Sequence, residues 1–383
     1  MIIQGGVIHI GDGTVVQEGY IRLEDGKIAE VSSGVYSGAD REVLDAKGKI
    51  ITPGFIDAHC HLGMWEEGLD FEGDDGNEMT DPCTPHLRAI DAINPLDRAF
   101  GEALDYGITT VVTGPGSANP VAGQICAMKT WGRVVDEMVV KAPVGMKFAL
   151  GENPKGVYND KSQTPMTRMA IAAIIREELQ KAKRYGEDCR KAQEDEDADP
   201  PELDVKCEAL LPVLEGKVKA HFHTHRADDI CTALRLIREF QLDGVIIHGT
   251  EGYMIAQTIA KAGVPVVCGP IISTRGKPEL KNLDRRNAAL LLEAGVEVAI
   301  NTDAPEVPID LLATEAAITV AAGVPAEKAL TLLTGSPARI CGIDSRVGLI
   351  APGLDGDILI FGQEPIGLLV KPERVLVEGR LVR

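Results

Sequence analysis

Residues 51–63 read ITPGFIDAHCHLG. Pro53-Gly54 is a turn, and the apolar run that follows it ends in a histidine pair, His59 and His61. In a strand, residues two apart point to the same face. Both imidazoles therefore face one side at the end of one strand. Two buried imidazoles without a polar partner are costly, and a shared metal ion is the economical partner. Asp57 lies on the same face one step deeper, where a carboxylate can orient a ligand. Cys60 falls on the opposite face and reads as packing. H-x-H alone is a weak pattern; directly after an apolar strand and a T-P-G turn it is far more specific.

On the N-terminal side, VIHI (7–10), YIRLE (20–24) and KIAEV (27–31) read as short strands, punctuated by GDG, EDG and SGAD. The chain closes on two more, GDILIFG (356–362) and RVLVEGRLV (374–382). Such segments need partners to cover their apolar faces. The simplest arrangement joins residues 1–52 and 346–383 in one β-sandwich, with residues 53–345 inserted between them.

The insert alternates strand-like and helix-like patterns. The expected strands are GFIDAH (54–59), GITTVVTG (107–114), QICAMK (124–129), GMKFALG (145–151), KVKAHFH (217–223), GVIIHG (244–249), VPVVCG (264–269) and VEVAINTD (296–303). DDICTALRLIREF and EGYMIAQTIAKAG between the later ones have apolar residues at helical spacing. Eight strands with βα alternation predict an α/β fold, a parallel (β/α)₈ barrel of the TIM type. The order is clearest for the last four strands. Residues 160–215 read as an insertion: a helix over 167–188, then an acidic stretch set as a solvated helix end or a loop.

The formal charge of −19 argues against nucleic acid as a partner. It is local: residues 66–81 carry eight acids and no base, and residues 187–204 carry nine acids and two bases, together −15 of the −19. The first stretch sits where it could steer substrate, the second where a lid or subunit contact could form. No apolar run is long enough to span a bilayer, and Met1–Ile10 lacks the character of a signal peptide. The eight cysteines are scattered, without a C-x-x-C pair, as expected of free thiols in a reducing cytoplasm. A small-molecule substrate and a homo-oligomer are the expected partners.

At this point ITPGFIDAHCHLG resembles the strand-one signature of the amidohydrolase superfamily. The flanking β segments are similar to the sandwich domain of its hydantoinase, imidazolonepropionase and N-acetylglucosamine-6-phosphate deacetylase branches. LTGSPARICGIDSRVGLIAPGLDGDILIF (333–361) is similar to the stretch by which these enzymes return from barrel to sandwich. The resemblance covers the chain except residues 155–215. It implies one or two divalent ions, zinc first among them, that activate water against a C–N bond in a cyclic amide, an N-acyl compound or a dipeptide. Deamination of a ring amidine and a non-catalytic assembly role are the alternatives. The presence of every expected ligand argues against the last.

The resemblance also implies roles for later residues. It puts a histidine at strand five, and His221, His223 and His225 share a face there; HTHRADDI fits best with His223 as ligand and His225 as a substrate contact. His248 matches strand six as a ligand, and His248 or His225 is expected to steady the developing oxyanion. Asp303 matches strand eight as a ligand and proton shuttle. At strand four, where many relatives carry a carboxylated lysine and others a glutamate, Glu152 is preferred. Lys147 lies roughly 15 Å of strand deeper. The Gly-rich loop TGPGSANPVAGQ (113–124) lacks the GK[ST] ending of a phosphate loop and could approach substrate through its backbone. Arg226 and Arg275 could hold a substrate carboxylate, and Trp65 could wall the pocket.

Overall fold

In the computed structural model, which describes residues 1–38, 42–66, 69–195 and 197–383, the turn-rich N-terminus becomes five strands. They are β1 (Ile2–His9), β2 (Val15–Glu24), β3 (Lys27–Ser33), β4 (Val43–Asp45) and β5 (Ile50–Pro53). One residue after β5, at Gly54, the chain enters a second sheet. Its strands are β6 (Phe55–Cys60), β7 (Ile108–Thr113), β8 (Val121–Lys129), β9 (Val139–Ala149), β10 (Lys219–Thr224), β11 (Gly244–His248), β12 (Val266–Cys268) and β13 (Val298–Ile300). They pair in chain order from β6 to β13. The barrel closes beyond the last ladder: Asp303 N–H donates to His59 O at 3.2 Å and His61 N–H to Ala304 O at 2.8 Å. The C-terminus then adds β14 (Ile358–Phe361), β15 (Arg374–Val377) and β16 (Arg380–Leu381) to the first sheet, in the order β16-β15-β14-β5-β1-β2-β3, with β4 on β1.

The barrel expected from the sequence is there, with one departure. β8 runs antiparallel to both β7 and β9, so QICAMK is not a parallel strand. Only residues 114–120 join β7 to β8, and a parallel crossover needs a dozen residues or more. The remaining ladders of the barrel, those that do not involve β8, are parallel.

The helices are α1 (Arg98–Asp105), α2 (Val135–Met138), α3 (Glu152–Asp160), α4 (Arg168–Glu194), α5 (Val205–Leu214), α6 (Ala227–Phe240), α7 (Ala256–Ala262), α8 (Asn287–Glu293), α9 (Leu312–Ala321), α10 (Ala326–Ala329) and α11 (Gly335–Ile340). Their boundaries follow local chemistry. α4 begins where Thr167 accepts from Ala170 N–H, and α5 where Asp204 accepts from the amides of Lys206 and Cys207. α4 buries Ile171, Ile175, Leu179, Ala182 and Gly186, a stripe at three- and four-residue spacing. It runs through the first part of the acidic stretch, whose Glu196 lies outside the described residues. All eight cysteines are unpaired. Among the described residues no helix is long and apolar enough to cross a membrane.

Strand register decides which side chains meet inside the barrel. Lys147 pairs with His221 and Ala149 with His223, so these four residues share one face of β9 and β10. Between them Phe148 pairs with Phe222 on the opposite face, where the rings stack with centroids 4.9 Å apart. Such a pair contributes about 0.5–1.5 kcal/mol beyond area burial and holds the two strands in register.

Candidate metal centre

Two clusters form at the carboxyl ends of the barrel strands. His59, His61 and Asp303 bring ligand-type atoms within 4.8 Å of one another, and so do His223, His225 and His248. Asp303 Oδ1 lies 3.3 Å from both His59 Nε2 and His61 Nε2. The His248 ring stands between the clusters, its centroid 5.4 Å from His59 and 4.6 Å from His223.

Two of these residues arrive by an unusual backbone route. His248 pairs in register with Thr224, so strand alternation alone would turn it from the face that carries His223. Its φ of +69° turns it back, and Asp303 has φ +57°. Left-handed backbone at a residue other than glycine costs of order 1–3 kcal/mol and persists where the surroundings impose it.

Carbonyl and hydroxyl oxygens orient the rings. His61 Nδ1 bonds Gly114 O, His248 Nδ1 bonds Gly269 O and His225 Nδ1 bonds Thr250 Oγ1, each at 2.7 Å. Each leaves Nε2 directed inward, the arrangement of metal-ligating histidines. Burial first, and neighbouring positive groups second, hold His59, His223 and His225 well below the usual imidazole range; burial brings His248 down to about 4. Burial alone would raise the Asp303 carboxyl. His248, His59 and His61 outweigh it and hold the carboxyl well below its usual range. Neutral imidazoles beside an ionised carboxylate are the states in which these groups ligate.

Buried His248 Nε2, Asp303 Oδ1 and Glu279 Oε1 have no hydrogen-bond partner among the described residues. Unpaired buried polar atoms are rare because each costs its desolvation. Asp303 Oδ1 faces His59 and His61, and Glu279 Oε1 faces His225 and His223, so each fits a divalent cation beside its own cluster.

Glu152 is not at the strand-four position expected for it. It starts α3, and its Oε2 accepts the Glu279 N–H at 3.1 Å. Lys147 is the strand-four group that reaches the cluster, with Nζ 3.1 Å from His59 Nε2. Counting strand rise places Cα atoms and ignores the length of a lysine side chain directed along the barrel. Asp57 orients no ring: it accepts the His59 N–H at 3.2 Å and the Thr302 hydroxyl at 2.6 Å, tying β6 to the end of β13. His221 lies beneath the clusters, fully buried, both ring nitrogens without a partner among the described residues.

Above the clusters opens a cavity of about 770 Å³. Trp65 walls it and meets the His61 ring edge-on at 4.6 Å. Gly116, Ser117 and Ala118 of the Gly-rich loop line it, as do Asn77 and Met79 from the acidic stretch, whose Glu67 lies outside the described residues. Arg226 is engaged by Asp228, and Arg275 bonds Leu283 O; neither lines the cavity. Lys277 lines it instead, against the carboxylates of Glu152, Asp160, Asp303 and Glu306.

Sequence reasoning missed Glu279. It sits in a single turn after β12, 1% exposed, with Oε1 3.6 Å from His225 Nε2 and 3.9 Å from His223 Nε2. Nothing around K-P-E-L marks it, because a loop brings it in.

The model of the amidohydrolase family matches residues 212–382. The crystal structure of an amidohydrolase from Thermotoga maritima MSB8 is 40% identical, covers 100% of this chain and 99% of that one, and superposes with a TM-score of 0.95. Amidohydrolase tasK from Hapsidospora irregularis is 28% identical over 396 residues, covering 97% of this chain; the chain spans 39% of that protein's length. An adenine deaminase from Lactobacillus delbrueckii subsp. bulgaricus is 25% identical over 355 residues, 89% of this chain and 52% of that protein.

Proposed function

The chain belongs to the amidohydrolase family, and from that premise we propose that it is a metal-dependent hydrolase that cleaves a C–N bond of a small molecule with water. The observation that carries this reading is Asp303 Oδ1 at 3.3 Å from both histidines of the H-x-H pair. His59, His61 and Asp303 would hold one divalent ion, zinc by its preference for nitrogen and carboxylate donors. His223 and His248 would hold a second, together with His225, which falls in that cluster and is here a ligand in place of the substrate contact first expected of it. Bound there, a divalent ion supplies Lewis acidity, polarising a carbonyl and making water more acidic.

Asp303 takes the proton of the attacking water and returns it to the leaving nitrogen. Its depressed pKa keeps it ionised at neutral pH, ready to accept. Asp57 keeps Thr302 and the His59 backbone in place, which sets the Asp303 carboxylate against the histidine pair. Trp65 and the loop of Gly116 to Ala118 bound the substrate space. A cavity of about 770 Å³ suits a molecule the size of a cyclic amide, an N-acyl amino acid or a dipeptide. Its carboxylate-rich lining favours neutral or cationic substrates.

Deamination of an aminopurine is the second reading, favoured by the similarity to an adenine deaminase along 89% of the chain. A screen of the metal-loaded protein separates the two. Carboxylate or amine release from cyclic amides, N-acyl amino acids or dipeptides supports hydrolysis; ammonia from aminopurines supports deamination. No turnover of any class, with full metal content, removes both.

A further inference from the structure

Glu279 is a buried carboxyl with half of its bonding capacity unused. Oε2 accepts the Glu152 N–H at 3.1 Å. Oε1 is buried and has no hydrogen-bond partner among the described residues. The charged groups nearby do not neutralise it: Asp229, which shares with Glu279 the space beside Gly151, is itself an acid, paired with Arg168 at 3.0 Å, and Lys277 is exposed. What Oε1 does face is a pair of imidazoles, His225 Nε2 at 3.6 Å and His223 Nε2 at 3.9 Å. Two donors bound to one tetrahedral zinc at about 2.1 Å stand roughly 3.4 Å apart. The separations are therefore those of ligands around a shared ion, and too long for a direct hydrogen bond.

Resting on the metal-dependent reading above, we propose that Glu279 is a metal ligand, the carboxylate donor that joins His223, His225 and His248 around the second cation. A carboxylate of its own gives this subsite an anionic donor that does not come from strand four. The reciprocal backbone bonds between Glu152 and Glu279 then have a purpose: they fix the carboxylate so that only Oε1 faces the imidazoles.

Metal content per chain, measured by mass spectrometry on zinc-loaded protein after dialysis against a weak chelator, is the test. Wild type should hold two ions. Glu279→Gln, which keeps the oxygen that accepts from Glu152, should hold one, with affinity for the second lowered about 10–100-fold or more. Glu152→Gln should keep two. Crystals of the zinc-loaded wild type should show anomalous density about 2.0–2.2 Å from Glu279 Oε1; this readout does not depend on a variant folding. Two ions of unchanged affinity in Glu279→Gln, or density on the imidazoles beyond reach of Glu279, overturns the assignment and leaves the hydrolase reading intact. A wild type that binds no divalent ion, or one whose metal is indifferent to loss of His59 and His61, overturns the hydrolase reading itself.

Discussion

Lys147 Nζ lies 3.1 Å from His59 Nε2, so the fourth barrel strand meets the first across the floor of the candidate metal centre. The lysine is fully buried, and burial lowers it to about 8. An amine there, next to an imidazole and close to a carboxylate, is placed to become an anionic ligand by adding carbon dioxide, as the family resemblance implies for strand four. Protein reconstituted with zinc and bicarbonate should carry a mass increment of one CO₂. Lys147→Met, similar in length and apolar, should lack the increment and lose about 10–100-fold or more in metal affinity or activity. An unmodified, fully active wild type would speak against this role.

Asp303→Asn isolates the proton shuttle. Asparagine keeps the shape and one coordinating oxygen, so fold and some metal should survive. General base catalysis contributes about 10²–10⁴-fold, so kcat should fall by a factor of that order while KM changes less. In wild type the base must be ionised, and its pKa is depressed. The acidic limb of the pH–rate profile should therefore lie below the usual carboxylate range. A variant with full metal that keeps more than about a tenth of wild-type kcat contradicts the role.

Gly116 is where the Gly-rich loop touches the cavity wall. A methyl group there would come within 2.6 Å of the Asn77 amide and of the Trp65 ring. Gly116→Ala should push Trp65 from its position and raise KM several-fold, with metal content and kcat nearly unchanged. Steady-state kinetics beside a metal assay reads this directly; loss of metal would mean that the loop supports the ligands instead of the substrate.

Lys129 tests the joint between the two sheets. It is 3% exposed and pairs with Asp355 at 2.9 Å and Asp357 at 2.5 Å, just before β14, which carries the chain back into the terminal sheet. Removing one partner of a buried ion pair leaves uncompensated charge and costs about 3–5 kcal/mol. Lys129→Met should lower the urea midpoint accordingly, while specific activity of the folded fraction holds. An unchanged midpoint would show that Arg346 and Lys27, which also reach Asp355, carry the load.

Much of the molecule was legible in the sequence because periodicity and turn chemistry are local. The T-P-G turn, the alternating H-x-H, the apolar runs ending in His248 and Asp303 and the helical stripe of α6 each announce themselves within a dozen residues. Composition told the same way that the negative charge belongs to two stretches and not to the barrel.

What tertiary structure alone decided depends on backbone direction and on distance between segments remote in sequence. The short link of residues 114–120 turned β8 antiparallel. Register between β9 and β10 put Lys147 on the face of His223, and the reach of its side chain carried it past the site where strand rise had left it. Glu152 was drawn to Glu279 by a helix start and a loop that share no sequence neighbourhood. Left-handed φ at His248 aims a side chain that alternation would turn away from the cluster. Residue order determines which groups exist and their local conformation; only the closed barrel brings their donor atoms within a few ångströms, because that distance is set by packing between strands and not by the chain that joins them.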